Sequence, residues 1–302
     1  MKLSVYFKLI RWRNLFLIAY VFILLKYILF PSFNLNTLLS NFQFSILLIS
    51  VLLITAAGYI INDIFDIKAD KINKPTKVIV STKITVEQAK AWYKITNAFG
   101  IILGVLLAIN IQKPSYSFLF IGTSILLYYY SKQLKKTPFI GNLAVAFSIA
   151  LSILLVPLFE IDFTIQNKSQ LIIIQFIILL SLFAFVLNLT REIVKDIIDI
   201  NGDYNLKNNT LPIVIGRKRA RNFALTLCSF TLLSLLYFTL HFSKQYKFTL
   251  LYLVVFIVLP MLYISVKLNA SKTKKQFQKI STLLKVCMFL GINSIIIFSI
   301  LH

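Results

Sequence analysis

The sequence predicts an all-α polytopic membrane protein with about nine transmembrane helices, arranged as two pseudo-repeated four-helix units plus a final helix. Three observations predict it. The 302 residues are 58% hydrophobic with a mean hydropathy of +0.83, too apolar for a soluble domain of this length. Nine apolar stretches can be drawn, and their lengths suit helices crossing a hydrocarbon core of about 30 Å, with no sustained alternation that would suggest strands. Finally, the acidic run Asn62-Asp63-Ile64-Phe65-Asp66-Ile67-Lys68-Ala69-Asp70 is echoed by Glu192-Ile193-Val194-Lys195-Asp196-Ile197-Ile198-Asp199-Ile200-Asn201-Gly202-Asp203, with the spacing D-x-x-D-x-x-x-D in both.

Taken in order, the first stretch (14–31) follows a basic start, but Lys26 interrupts it and no small-residue cleavage site follows. It is read as a retained helix and not a signal peptide. The second (42–62) runs into the first acidic run. Thr85 and Gln88 have the spacing of a capping box and start the third (90–110). The fourth (115–131) ends near Tyr130-Ser131, the fifth (139–159) is opened by Gly141-Asn142, and the sixth (170–190) runs into the second acidic run, where Gly202 is expected to loosen the last helical turn. Stretches 222–241, 247–267 and 282–301 complete the set. Residues 1–302 read as one membrane domain, since no linker, low-complexity tract or soluble domain stands out.

The net charge of +22 would suit a nucleic-acid partner, but its distribution excludes one. Most of the 32 lysines and arginines fall on one side of the nine-helix plan, together with the N-terminus and both acidic runs, whereas Lys113, Lys168, Lys244 and Lys247 fall on the other. The positive-inside rule makes the first side cytoplasmic, and the membrane is expected to be a bacterial cytoplasmic (inner) membrane; basic loops there also suit anionic lipid head groups. Cys228 and Cys287 lie inside predicted helices, which excludes a disulfide framework. His241 and His302 lie opposite the acidic runs, so histidine metal chemistry is not expected.

Seven of the ten acidic residues sit in the two runs. Carboxylates at membrane depth cost roughly 2.5 to 3.5 kcal/mol each, so their concentration there calls for a function. On a helix Asp63, Asp66 and Asp70 fall within an arc of about 60°, and Glu192, Asp196, Asp199 and Asp203 share one face. Carboxylates about 6 Å apart repel by roughly 3 kcal/mol at an effective dielectric near 20. Such faces invite divalent cations, and oxygen ligands without histidine or cysteine favour Mg²⁺, Ca²⁺ or Mn²⁺ over zinc. The runs lie 133 positions apart, four helices in the plan, so they return to the same side and can face each other across a pseudo-two-fold axis. Two facing clusters would hold a diphosphate through metal ions while its organic tail lies in the apolar bundle, which describes a polyprenyl diphosphate. Lys74, Lys77, Lys135, Arg191 and Lys195 stand where they can neutralise pyrophosphate.

At these residues the sequence resembles the UbiA-type intramembrane prenyltransferases, whose mark is N-D-x-x-D-x-x-x-D after the second helix and a second aspartate motif after the sixth. Both motifs, their order and the nine-helix plan agree over nearly the whole chain. Arg11 and Asn14 resemble the R-x-x-N before the first helix, and Tyr130-Ser131 with Lys135 resembles the signature after the fourth. The resemblance implies Mg²⁺-assisted ionisation of an allylic diphosphate and capture of the carbocation by an acceptor, with Asp66, Asp70, Asp196 and Asp199 catalytic. It implies metal ligation by Asp63, Asp66, Asp70, Asp196, Asp199 and Asp203, and substrate binding by Arg11, Asn14, Asn62, Lys74, Lys77, Tyr130, Lys135, Arg191 and Lys195. Tyr59, Tyr128, Tyr129 and Tyr130 are candidates to face the cation. One departure is the loop Asn73-Lys74-Pro75-Thr76-Lys77, where the family carries N-R-P-x-R, with Thr82 where glycine is common. Lysine supplies charge but not the bidentate fork.

The stretch from Arg191 to Gly216 resembles most the branch that includes digeranylgeranylglycerol phosphate synthase, which moves a geranylgeranyl group onto the hydroxyl of a prenylated glycerol phosphate. The expected partners are thus a polyprenyl diphosphate, a lipid acceptor and membrane lipids, with no nucleic acid. Aromatic acceptors of the hydroxybenzoate or dihydroxynaphthoate type, and tetrapyrroles, stay open. A cation or metabolite transporter with duplicated halves is the non-enzyme alternative; it is disfavoured because both runs lie at helix ends beside basic loops and not at the midplane. A CDP-alcohol phosphotransferase would need a D-G start, an internal arginine and a glycine before D-x-x-x-D, a set that neither run supplies.

Overall fold

The computed structural model describes residues 3–164, 167–242 and 247–300. The expectations on His302 and Lys244 fall outside these residues, as do those on the side chains of Lys77, His241 and Lys247. The described chain is helical: α1 (Leu3–Leu9), α2 (Trp12–Ser32), α3 (Asn41–Phe65), α4 (Ile67–Asn73), α5 (Val86–Asn110), α6 (Ser117–Lys132), α7 (Ile140–Glu160), α8 (Lys168–Asn205), α9 (Leu211–Ile215), α10 (Arg217–Phe242), α11 (Phe248–Ala270) and α12 (Lys274–Ile300). Eight of these are long and apolar enough to cross a membrane. The remaining apolar stretch, the fourth, is α6, 16 residues long and preceded by a 3₁₀ turn at Pro114–Tyr116; its length of about 24 Å falls short of a perpendicular span. The protein is an integral, multi-pass membrane protein.

The chain forms two compact units, residues 1–20, 39–144 and 201–209 in the first and 21–38, 145–200 and 210–302 in the second. In the first unit α3 and α5 begin with capping boxes, Ser40 with Gln43 and Thr85 with Gln88, which satisfy amide donors left open at a helix start. Small residues then let the helices approach closely. A Cβ added at Gly100 would lie 2.8 Å from Ile54 Cγ1, one at Gly104 2.4 Å from the Phe120 ring, and one at Gly58 2.8 Å from Leu127. The buried Ser50 hydroxyl donates to the Gly100 carbonyl at 2.7 Å. This is the small-xxx-small contact that joins helices in lipid, where packing replaces the hydrophobic drive. Gly100→Ala is therefore expected to destabilise the protein by about 1–3 kcal/mol through overpacking against Ile54, read as a lower unfolding temperature in detergent; an unchanged temperature would refute the contact.

Below these helices a cluster of Leu9, Ile10, Ala56, Ile60, Val80, Ile84 and Ala89 seats α1 and the turn before α5 on the end of α3 that carries the first acidic run. Arg11 separates α1 from α2 with a φ of 53°, in the left-handed region that non-glycine residues seldom adopt. The glycine substitute noted in the sequence also has a counterpart: the left-handed position of that turn is Ser81, φ 74°, and the Thr82 hydroxyl donates to the Val78 carbonyl.

In the second unit, Phe176 stacks on Phe298 at 4.3 Å and Phe298 on Phe33 at 5.4 Å. The Tyr252 hydroxyl donates to the Leu290 carbonyl at 2.8 Å. Cys228 and Cys287 are buried and free. A buried ion pair, Lys26 Nζ to Glu160 Oε1 at 2.6 Å, explains how an ammonium is tolerated inside the first apolar stretch.

Candidate active site

In the first unit the acidic run spans a helix break. Helix α3 ends at Phe65, Asp66 turns the chain at φ −87° and ψ 0°, and α4 resumes at Ile67. Backbone hydrogen bonds, donated by the amides of Asp66, Asp70 and Lys74 to the carbonyls of Asn62, Asp66 and Asp70, carry helical spacing across the break, so Asn62, Asp63, Asp66 and Asp70 keep the side-by-side order that the sequence predicts.

Cations reach these groups from three other segments. Arg11 Nη2 donates to Asp63 Oδ1 at 2.9 Å, with its guanidinium 4.8 Å above the Tyr59 ring. Asn14 Nδ2 donates to the Tyr59 hydroxyl at 3.2 Å. Lys135 Nζ pairs with Asp66 Oδ1, while Asn62 Nδ2 donates to Asp66 Oδ2 at 2.8 Å. Tyr130 is near enough to Arg11 to act on it electrostatically, and Lys74 likewise acts on Asp70. Seven predicted residues, Arg11, Asn14, Asn62, Asp63, Asp66, Asp70 and Lys135, are thereby gathered with their partners in one unit.

The local sequence explains why Lys135 reaches so far. It lies in a 3₁₀ turn, Leu134–Lys136, and a Cβ at Gly141 would sit 2.7 Å from the Leu134 oxygen and from the Lys135 Cα. Glycine here lets the start of α7 pack directly on the backbone that aims Lys135. The turn is also tied from behind, where the Asn209 amide donates to the Lys136 carbonyl at 2.8 Å. Burial lowers the Lys135 ammonium from its usual value, and the charge and hydrogen bond of Asp66 oppose that shift, as expected of a cation partly withdrawn from water beside a carboxylate. At Asp70 the sign is reversed. Burial first, then the Asp66 charge, push its carboxyl up to about 6, as expected of carboxylates crowded together.

Aromatic rings adjoin this site. Tyr128 lies 6.0 Å from Phe65, 6.5 Å from Tyr93 and 5.8 Å from Tyr129, and Lys132 stands 5.8 Å above it. Phe65 and Tyr93 were not singled out in the sequence, where an aromatic in an apolar helix looks like packing. Asn73 was also missed. Its Oδ1 accepts from the Gly202 amide at 3.0 Å.

In the second unit the acidic run stays within one helix, because α8 continues unbroken for 38 residues to Asn205. Gly202 does not loosen its last turn; glycine is there because Asn73 approaches the backbone. Lys195 Nζ donates to Glu192 Oε1 at 2.6 Å and Arg191 Nη1 lies 3.5 Å from the same oxygen, while Arg191 Nε donates to the Ser281 carbonyl at 3.3 Å. Asp196 and Asp199 are half-buried on the turns that follow. Asp203, which packs with the first unit, accepts from Asn208 Nδ2 at 3.1 Å and so closes the turn after α8. Among the described residues no three acidic, histidine or cysteine side chains converge on one point; Arg11, Lys135 and Lys195 balance the carboxylates instead. The donor set still fits a hard divalent cation, being carboxylate and amide oxygen throughout.

A membrane bundle of this plan, with cation-balanced aspartates at helix ends and an aromatic cluster beside them, defines an intramembrane enzyme handling an anionic, lipid-soluble substrate. Residues 12–291 match the UbiA prenyltransferase family. A digeranylgeranylglyceryl phosphate synthase of Saccharolobus solfataricus is 37% identical over 80% of this chain and 79% of its own. A solved structure of a digeranylgeranylglyceryl phosphate synthase, 26% identical, superposes over 99% of both chains with a TM-score of 0.66. A UbiA homologue of Archaeoglobus fulgidus bound to GPP and Mg²⁺, 18% identical, shares the fold over 96% of this chain and 99% of that one with a TM-score of 0.60. The chain belongs to the UbiA prenyltransferase family, and it is a prenyltransferase.

Proposed function

We propose that the protein transfers a geranylgeranyl group from its diphosphate to the free hydroxyl of geranylgeranylglycerol phosphate, with Mg²⁺ as cofactor. The allylic carbon–oxygen bond breaks, pyrophosphate leaves, an ether bond forms at the acceptor oxygen, and the hydroxyl proton is released. The observation that carries the reading is the pairing of Arg11 with Asp63 and of Lys135 with Asp66, beside relatives of that activity that align over most of the chain. Mg²⁺, when bound, supplies Lewis-acid stabilisation of the leaving pyrophosphate, and the homologue holding GPP and Mg²⁺ supports that choice. Asp63, Asp66, Asp70, Asp196, Asp199 and Asp203 would hold the ions, with Asp66, Asp70, Asp196 and Asp199 catalytic.

The cations have work of their own. Lys135, half-buried beside Asp66, would gain from an incoming diphosphate, and Lys74, Lys77, Arg191 and Lys195 are the other cations that would neutralise the departing pyrophosphate. Arg11 stays bound to Asp63 and, with Asn14, fixes the Tyr59 ring, whose face already carries a cation. Tyr130, on α6, would bind substrate beside them. A phosphate-bearing acceptor suits a site this rich in lysine and arginine better than a neutral aromatic one. By the positive-inside rule both acidic runs would face the cytoplasm; the relatives reported above are archaeal and give the expected bacterial membrane no support. The whole chain acts as a single prenyltransferase domain.

One trial decides the acceptor. Detergent-purified protein, Mg²⁺ and geranylgeranyl diphosphate are offered geranylgeranylglycerol phosphate, hydroxybenzoate or dihydroxynaphthoate, and products are weighed by mass spectrometry. The digeranylgeranyl ether is expected from the first alone, and chelation is expected to stop it. A prenylated aromatic product in its place would replace the acceptor, and undiminished turnover after chelation would remove the metal.

A further inference from the structure

We propose that Asn73 is a positioning residue for prenyl transfer, its side-chain amide clamping the end of α4, the helix that carries Asp70, to the last turn of α8, which carries Asp203. Asn73 is the final residue of α4, three positions after Asp70; Gly202 lies three positions after Asp199 on α8. The Gly202 amide donates to Asn73 Oδ1 at 3.0 Å. The approach is so close that a Cβ at 202 would come within 2.3 Å of Asn73 Nδ2 and 2.7 Å of its Oδ1. Glycine inside a helix is normally unfavourable relative to alanine, and here its missing side chain is what admits Asn73. The segment after Gly202 is held a second time, through the Asn209 amide and the carbonyl of Lys136, next to the lysine that pairs with Asp66. Residues 201–209 thus form a strap fastened at one end to the last residue of α4, which carries Asp70, and at the other to the turn that presents Lys135.

The consequence is one of register. Carboxylates that share metal ions must be placed to a fraction of an ångström, and residues that never touch the substrate set that placement. The proposal rests on the prenyl-transfer reading, so its test carries a readout that does not depend on activity. Spin labels at Lys71→Cys and Tyr204→Cys, both exposed positions, report the separation across the clamp in the full-length protein by electron–electron double resonance, with Cys228 and Cys287 buried.

A single narrow distance is expected with Asn73 present. Asn73→Ala should broaden it and raise the Mg²⁺ concentration for half-maximal turnover by about fivefold to tenfold, the effect of losing one partly buried hydrogen bond. Asn73→Asp, which keeps the acceptor oxygen, should restore the narrow distance. Gly202→Ala should disturb both readouts, yet the double variant Asn73→Ala with Gly202→Ala should be no worse than Asn73→Ala alone, because the colliding atoms are gone. Unchanged distance and Mg²⁺ requirement in Asn73→Ala, or additive effects in the pair, would overturn the clamp. If Asp66→Asn retained turnover, the metal reading would fail instead, and the distance result would stand apart from it.

Discussion

Asp66→Asn is expected to lower prenyl transfer by at least about a thousandfold while the protein still folds, and Asp196→Asn to do the same from the second run. The reason lies in what Asp66 is connected to. It sits at the break between α3 and α4, with one carboxylate oxygen held by Asn62 and the other by Lys135. An amide at this position is nearly the same size and can keep a hydrogen bond, so the helix junction survives. What is lost is a negative charge that both a divalent cation and Lys135 need, and the half-buried ammonium, already held below its usual value, then loses its paired anion. Pyrophosphate release with geranylgeranyl diphosphate and acceptor measures the loss, and a near-native unfolding temperature shows that the fold is intact. Turnover within tenfold of native in either variant would show that these carboxylates do not carry the chemistry.

The apolar stretches, their order and the two acidic runs were legible in the sequence because each rests on local pattern. A helix crossing lipid must be apolar along its length, and a carboxylate at its end stands out for that reason. Long-range pairing was less legible. That Arg11 reaches Asp63, across 52 positions, and Lys135 reaches Asp66, across 69, depends on how α2, α3 and the turn before α7 pack, and positive charge near a helix end looks the same whether it anchors the membrane or holds a carboxylate. The aspartates of the first run share a face although α3 breaks at Asp66, since the backbone hydrogen bonds across the break keep helical spacing.

Glycine was the hardest residue to interpret. Gly202 read as a weak last turn, whereas α8 runs through it and the missing Cβ makes room for Asn73. Gly141 read as a helix opening, and its further role against the Lys135 backbone depends on a contact that no spacing rule predicts. The residues that matter by contact, as opposed to pattern, are therefore the ones that only coordinates reveal.

Breaking the buried pair Lys26–Glu160 from one side is expected to cost about 3–5 kcal/mol of stability, and removing both charges together to restore most of it. Glu160 is fully buried and Lys26 nearly so, with 2.6 Å between their charged atoms and the Thr37 hydroxyl 3.5 Å from the ammonium. The Glu160 carbonyl also accepts from the Leu38 amide at 3.0 Å, so the end of α7 holds the chain leaving α2 by backbone and side chain at once. Neither charge can reach water without rearranging that junction. Lys26→Met alone strands a carboxylate, and Glu160→Leu alone strands an ammonium. The double variant leaves two apolar side chains of similar volume, which is neutral or favourable where desolvation outweighs Coulomb attraction. Glu160 ends α7, 21 residues long, and takes no part in the candidate site, so the double variant should keep its prenyl-transfer rate. Thermal unfolding in detergent of the four proteins in this cycle reads the coupling directly: single variants as stable as the native chain would show that the pair bears no buried charge, and a double variant as weak as the singles would show that the ion pair itself, and not the avoidance of a stranded charge, holds α2 to α7.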